Sequence, residues 1–186
     1  MAILNGDKYT GISIIKMTKD LDAGDILAQF EEEVRDDDTN ITLRGRLVKK
    51  TAEVLPEILM KWTRGEIEEK KQNEQKATFC KKEDISKEKA KIDFTKNTAK
   101  EIDRMVRALV PWPVAWMIVN GKKTKVFSIN INEEKKLKPK EFLQENTSLF
   151  IGTKEKTIEV LKLQMEGKKI MDIKEFLNGI TVASIQ

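Results

Sequence analysis

The residues best suited to chemistry lie in a short acidic loop early in the chain. Asp22-Ala23-Gly24-Asp25 follows a run of β-branched residues, and loops that leave a strand often carry binding or catalytic side chains on a rigid scaffold. A carboxylate at this place could accept a proton from a nucleophile. Small and acidic residues in this order are also ordinary turn formers, so both interpretations stay open while the loop is considered alone.

The residue types that the chain lacks restrict its chemistry further. It contains no histidine, the side chain that most often does acid–base chemistry near neutral pH, so catalysis must use carboxylates, lysines or backbone groups. A single cysteine, Cys80, excludes an internal disulfide and predicts no zinc site. The first residues show no secretory signal pattern, and no apolar run approaches the roughly 20 residues of a membrane span. We therefore expect a soluble cytoplasmic protein that holds no metal.

Positive charge is concentrated in the second half of the chain. Residues 95–186 contain 17 lysines and arginines against 11 acidic residues, and the whole chain of 186 residues has a formal net charge of +4. Such lysines could neutralise the phosphates of a nucleic acid, or they could only keep the surface soluble. The candidates lie at two predicted turns: Lys122, Lys123 and Lys125 at the first, and Lys168 and Lys169 at the second.

Two strands and a helix would have to position the acidic loop. Residues 10–17 and 26–34 have the extended, β-branched pattern of strands. Residues 36–40 supply acidic and capping residues for a long helix that begins near residue 41 or 42, in which Pro56 predicts a kink or a break. Two strands and one helix make a poor independent core.

Composition also predicts where one domain ends and the next begins. Residues 65–82 are rich in Glu, Lys and Gln and contain few apolar side chains, so they cannot bury much surface and are predicted to be a linker. The predicted domains are therefore residues 1–64 and residues 83–186.

The second domain shows several short strands and two helices. A capping box at residues 98–101 starts an amphipathic helix that ends before Pro111, and Asn120-Gly121 joins two strands in the strongest hairpin signal of the chain. Two further strands and a short last helix are predicted: residues 148–151, residues 157–163, and a helix from Asp172 to Leu177. This pattern predicts an α+β protein whose second domain is a small β-barrel such as an OB-fold.

Three segments together resemble the methionyl-tRNA formyltransferase family. TGISIIKMTKDLDAGDILAQ spans residues 10–29, ISKEKAKIDF spans residues 85–94, and VRALVPWPVAW spans residues 106–116. The family has a strand leading into a Leu-Asp-x-Gly-Asp loop and, after a linker, a helix that ends in Pro-Trp-Pro. Both occur here in the same order, and the resemblance covers nearly the whole chain, which corresponds to the C-terminal two-thirds of such an enzyme.

The resemblance implies a fold, an activity and a set of site residues. Residues 1–64 would be the end of a Rossmann-like α/β formyltransferase domain, and residues 83–186 would be its OB-like tRNA-binding domain. The family transfers a formyl group from 10-formyltetrahydrofolate to the amino group of methionyl initiator tRNA with an Asn, a His and an Asp. Only the Asp has a match, Asp22, while Ala23, Gly24 and Asp25 would line the folate pocket. The Asn and the His lie before the first residue of this chain, so we expect little or no activity from it alone.

Two other functions are compatible with the same residues. The chain could be a nucleic-acid-binding module without catalysis, or part of a formyltransferase that acts on a sugar nucleotide. Trp112 and Trp116 could stack on nucleotides, although packing at the helix–barrel junction and in the core is the expectation we favour for them. The resemblance assigns further strands of the same sheet to residues outside this chain. Their absence would leave a sheet edge exposed, through which copies of the chain could associate.

Overall fold

The chain forms two compact units, which are described one at a time. A computed structural model describes the backbone of residues 1–186 and every side chain except those of Lys76 and Lys82. The first unit comprises Gly6–Cys80, and the second comprises Lys81–Gln186 together with Ile3–Asn5 of a short helix, α1 (Ala2–Asn5). None of the helices in the described part of the chain is long and apolar enough to span a membrane.

An antiparallel hairpin opens the first unit. Strands β1 (Tyr9–Ile15) and β2 (Ile26–Glu33) pair with Ile12 opposite Phe30, which confirms both predicted strands. The pairing register shifts between Ile14 and Ile15. A bulge of this kind bends a strand and re-aims the residues that follow it, and here those residues are the acidic loop.

The long helix α2 (Asn40–Thr63) begins one residue before its predicted start. The Thr39 hydroxyl accepts a hydrogen bond from the amide of Thr42, and the Thr42 hydroxyl accepts one from the amide of Thr39. Pro56 lies inside the helix, so the helix does not break there, and the kink that was the other expectation stays a prediction. Ile58, beyond the proline, is buried like Leu43 before it, and this packing on both sides keeps the segment helical despite the missing hydrogen bond.

A buried ion pair joins α2 to the residues that precede it. Asp38 is only 2% exposed, and both of its oxygens accept hydrogen bonds from the Arg46 guanidinium at 2.5 and 2.6 Å. Arg46 also donates to Glu32 on β2 at 2.9 Å, while Asp38 accepts from the Thr42 hydroxyl at 2.8 Å. The hydrogen bonds from Arg46, opposed by burial, hold the pKa of the Asp38 carboxyl far below its usual value. One carboxylate thereby ties the helix start to the hairpin.

The hydrophobic core of the first unit is small. Among its described side chains, Leu43 and Ile58 are the hydrophobic ones that are less than one-tenth exposed. In contrast, Ile41, Val48 and Leu59 on α2 are 58%, 59% and 43% exposed. These three residues are 7 and 11 positions apart and so lie on one face of the helix. The unit thus has one apolar helix face that its own residues leave uncovered.

The second unit is an antiparallel sheet with two helices. Its strands pair in the order β3-β4-β7-β6-β5, and β8 also pairs with β7. Helix α3 precedes the sheet, and α4 follows it. The elements are α3 (Ala99–Ala108), β3 (Trp116–Val119), β4 (Lys122–Asn132), β5 (Phe142–Glu145), β6 (Ser148–Gly152), β7 (Thr157–Met165), β8 (Met171–Asp172) and α4 (Ile173–Gly179).

Most predicted elements of this unit are confirmed. Thr98 and Glu101 form the predicted capping box, and Asn120 and Gly121 have the positive φ angles, 50° and 75°, that the hairpin turn requires. Asp172 stands before α4 as predicted but makes no side-chain cap hydrogen bond; its carboxylate lies 3.6 Å from Lys162 instead. The α+β class is confirmed, and the assignment of the sheet as an OB-fold stays a prediction.

The core of the second unit lies between α3, α4 and one face of the sheet. Phe94, Ile102 and Phe176 are at most 1% exposed there, beside Met117 and Leu163 from the strands. The open edge of β3 is covered by the end of the chain, since the amide and carbonyl of the terminal Gln186 pair with those of Ile118. This pairing leaves the edge without a free row of backbone groups.

Asp38→Asn tests the ion pair. At neutral pH we expect it to destabilise the first unit by about 3 kcal/mol, because it removes one charge of a largely buried pair. The lowered pKa of Asp38 means that its contribution is fully present above the unfolded-state pKa of about 3.9 and is lost as pH falls further. Amide hydrogen exchange in α2 would therefore separate the variant from wild type at pH 7, with the difference shrinking below about pH 4. The exposed neighbour gives a matched control, Asp37→Asn, and an equal effect of both changes would contradict this role.

Candidate functional site

The acidic loop connects β1 to β2 and is held against the end of its own hairpin. Asp22 is exposed and has a φ of 56°, a left-handed conformation that is uncommon outside glycine. The Lys16 amide donates to the Asp25 carbonyl at 2.9 Å and closes the base of the loop. Asp22 and Ala23 project from this closed base, where a bound molecule could reach them.

Gly24 is required by the path of the backbone. A Cβ atom at Gly24 would lie 1.6 Å from the Lys16 carbonyl oxygen, which belongs to the backbone and cannot swing away. Gly24 is also buried. Its missing side chain is therefore explained by packing within the loop, and a role beside folate stays a prediction.

Residues beyond α2 return to the hairpin and clamp the loop. Ile26 and Lys70 exchange both backbone hydrogen bonds, at 2.7 and 3.0 Å. The Gln72 side-chain amide then donates to the carbonyls of Asp22 and Gly24, each at 2.7 Å. Sequence reasoning missed Gln72 because its segment is polar and has no strand pattern. The one sequence feature that could have predicted this contact is the position of Gln72 after a helix long enough to bring the chain back to the hairpin.

The loop carries three acidic side chains, Asp20, Asp22 and Asp25. Among the described side chains, none hydrogen-bonds to or pairs with the Asp22 carboxylate. No group of three or more acidic or cysteine side chains in the described part of the chain could hold a metal ion. The arrangement supplies a proton acceptor, but it supplies no donor aimed at a developing negative charge.

The sheet brings two groups of predicted lysines to one end of the second unit. Lys125 on β4 lies opposite Gln164 on β7, and the Lys123 carbonyl accepts a hydrogen bond from the Glu166 amide at 2.8 Å. The Gly167 turn follows directly and carries Lys168 and Lys169. Residues more than 40 positions apart in the chain thus meet at the same end of a strand pair.

The five predicted lysines differ in their surroundings. Lys123 and Lys125 alternate along β4 with the buried Thr124 and Val126, so they share the outer face of the strand. Lys122 falls on the other side of this alternation, at the hairpin turn. Lys169 forms an ion pair with Glu175 at 3.1 Å, whereas Lys168 is exposed at the turn itself.

The expected core position of Trp116 is wrong, whereas the expected packing of Trp112 at the helix–barrel junction stays a prediction. Trp112 is 55% exposed and Trp116 is only half-buried, and the core position on β3 belongs to Met117. Pro111 and Pro113 flank Trp112, each after a cis peptide bond, and Val114 and Ala115 beyond them are buried. The Trp116 ring carries the Lys123 ammonium at 4.1 Å from its centroid, and its Nε1 donates to the Lys87 carbonyl at 2.6 Å.

Two depressions lie beside Trp112, and sequence reasoning missed one of their lysines. The larger, of about 440 Å³, is lined by Lys123, Lys125 and Lys87, and the other, of about 420 Å³, is also lined by Lys87. Lys87 belongs to a segment that joins the sheet at Trp116, whose amide donates to the Ala90 carbonyl at 2.9 Å. Glu88 lies nearby, and its pKa is lowered by hydrogen bonds from its own amide and from Ser86, and by the charges of Lys123 and Lys87.

Comparison with known proteins places both units in one family. A model described as the formyl transferase C-terminal domain matches residues 84–181, and a formyl transferase model matches residues 1–59. A curated methionyl-tRNA formyltransferase from Lactobacillus gasseri is 38% identical over 182 residues, which are 96% of this chain and 56% of that protein. The chain thus spans little more than half the length of the curated relatives that it matches.

Solved structures agree with this fold. HypX from Aquifex aeolicus in complex with tetrahydrofolic acid has a TM-score of 0.73 at 23% identity, over 95% of this chain and 31% of HypX. The N-formyltransferase from Helicobacter canadensis, in complex with folinic acid and dTDP-3-aminofucose, has a TM-score of 0.64 at 18% identity, over 88% of this chain and 58% of that one. The C-terminal family model alone matches more than half of the sequence, and the chain belongs to the formyl transferase family.

Proposed function

We propose that the chain is part of a methionyl-tRNA formyltransferase, which transfers a formyl group from 10-formyltetrahydrofolate to the amino group of methionyl initiator tRNA. The observation that carries the proposal is the identity of 33–38% to curated proteins of that name over 96% of the chain. Relatives solved with tetrahydrofolic acid or folinic acid support a folate-derived formyl donor.

Asp22 takes the part of proton acceptor in this proposal. The methionyl nitrogen attacks the formyl carbon, the carbonyl oxygen gains negative charge, and the bond from that carbon to N10 of the folate then breaks. The nitrogen must lose a proton, which an exposed carboxylate beside it can accept, while N10 must gain one. The negative oxygen needs hydrogen-bond donors that Asp22 does not provide.

The remaining groups of the proposed reaction do not stand beside Asp22 among the described side chains. The chain contains no histidine, and no described side chain hydrogen-bonds to or pairs with the Asp22 carboxylate. We therefore propose that the chain does not catalyse formyl transfer by itself. The uncovered face of α2, with Ile41, Val48 and Leu59, supports a further contact of the first unit, either with the segment that supplies those groups or with a second copy of the chain.

The second unit takes the part of tRNA binding. Lys123, Lys125 and Lys168 lie at one end of the β4–β7 pair, and each ammonium group there that neutralises a phosphate strengthens binding by releasing counterions. Since these lysines lie on a unit with its own core, a module that binds tRNA without catalysis is the second candidate function. A formyltransferase acting on a sugar nucleotide would not need these lysines. Formylation assays with methionyl-tRNA and with an amino-sugar nucleotide as acceptors distinguish these two formyltransferases.

A formylation assay tests the catalytic proposal. The purified chain is expected to give no turnover with methionyl-tRNA and 10-formyltetrahydrofolate. Adding the portion of the Lactobacillus gasseri relative that this chain does not match should restore turnover. In that mixture Asp22→Asn should lower kcat by about 100- to 10,000-fold, the usual range for a positioned acid–base group. Turnover by the chain alone that Asp22→Asn abolishes would contradict the proposal.

The Gln72 clamp is tested through the stability of the loop. Gln72→Leu removes two hydrogen bonds to the loop carbonyls, each worth about 1 kcal/mol, so the Lys16 amide should exchange about 30-fold faster. The exposed side chain of Gln75 gives the matched control, Gln75→Leu. Unchanged exchange in Gln72→Leu would show that the loop holds its shape without the clamp.

Salt dependence tests the lysines. Lys125→Gln should weaken tRNA binding and lower the slope of log K against log salt by about 1, because one phosphate contact is lost. Lys49 is exposed on α2 in the other unit, and Lys49→Gln should leave both quantities unchanged. An unaltered slope in Lys125→Gln would exclude this lysine from the contact.

A further inference from the structure

An exposed indole stands beside a basic groove of the second unit. Trp112 is 55% exposed, although a tryptophan ring is a large apolar surface that folded proteins mostly cover. Pro111 and Pro113 fix the φ angles on both sides of it, and the Val114 amide donates to the Leu109 carbonyl at 2.9 Å across the turn. The ring is thus presented to solvent on a stiff piece of backbone.

The groove next to this ring combines apolar surface with an excess of positive charge. Its volume is about 440 Å³, a size that suits a small molecule or one nucleotide. Its apolar lining is Trp112, Pro113 and Met165 with Gly167, and its polar lining is Lys87, Lys123, Lys125, Gln164 and Glu166. Three ammonium groups therefore face one carboxylate, with a neutral amide among them.

Two of the three lysines form no ion pair in the described part of the chain. They are Lys87 and Lys125, whereas the Lys123 ammonium lies 4.1 Å from the centroid of the Trp116 ring. A flat exposed ring, cations within the same groove and an amide that both donates and accepts are the groups that bind a base, a phosphate and a sugar or base edge.

We propose that this groove binds one unpaired nucleotide of an RNA, with its base stacked on Trp112 and its phosphate held by Lys87 and Lys125. The proposal rests on the function proposed above, from which it takes RNA as the partner. A base inside a duplex does not offer its flat face, so the ligand must be a nucleotide in a loop or at a single-stranded end. The groove thereby distinguishes a tailed or looped RNA from a fully paired one.

Binding of two matched RNA duplexes, each made of two separate strands, to the full chain tests the proposal. One duplex carries a 3′ single-stranded tail, and the other has the same paired segment and two blunt ends. Trp112→Leu should weaken binding of the tailed duplex by about 5- to 150-fold, the usual effect of losing one stacked base, and leave the blunt one unchanged. Trp112→Phe should retain part of the affinity. Phe79 is 83% exposed in the other unit, and Phe79→Leu is the control for removal of an exposed aromatic ring.

Tryptophan fluorescence gives an independent measurement of the same contact. The tailed duplex should quench the emission of wild type, and Trp112→Phe should lose that quenching while its thermal unfolding midpoint stays unchanged. Equal affinity of wild type and Trp112→Leu for the tailed duplex would overturn the stacking site, and a retained salt slope in the same experiment would leave the proposed function intact. Absence of binding to either duplex and to methionyl-tRNA would overturn both.

Discussion

The antiparallel pairing of β4 with β7 is the constraint on which the second unit depends. The pairing runs from Thr124 opposite Met165 to Asn132 opposite Thr157, and every other strand of the sheet joins one of these two directly or through β6. Because alternate residues face opposite sides of a sheet, one register fixes both faces at once. Val126 and Leu163 enter the core, while Lys125 and Gln164 face outward to form the wall of a groove. The core and the basic surface are therefore two consequences of the same ladder.

The first unit depends on backbone contacts more than on a core. Its loop is closed by the Lys16 amide, by the absence of a side chain at Gly24 and by the two hydrogen bonds of Gln72. These contacts hold Asp22 in place although few hydrophobic side chains of the unit are buried. A carboxylate held by backbone contacts is positioned for chemistry, yet the unit that carries it leaves one face of α2 uncovered. Both facts agree with a segment that performs its chemistry together with further residues.

In the proposed function the two units have different roles. The first unit would supply a proton acceptor on its loop, and the second would supply ammonium groups and an exposed indole on a separate core. Formyl transfer to an amine attached to RNA needs both roles, because the reacting nitrogen must be deprotonated while the large anionic acceptor is held in place. Under this proposal, the positive charge is concentrated in the half of the chain that binds RNA, and the proton-accepting carboxylate lies in the other half.

The sequence by itself determined the local structure and the family, because these depend on signals within a few residues. The capping residues before α2, the capping box at Thr98 and the Asn120-Gly121 turn are each recognised from a few neighbouring residues. Only the tertiary structure decided which residues meet and which are buried. Gln72 reaches the loop of Asp22 from a polar segment without a pattern, Pro56 stays inside a helix with buried residues before and after it, and Trp112 is exposed while Val114 and Ala115 are buried. Each of these outcomes depends on how the whole unit packs, which no local propensity encodes.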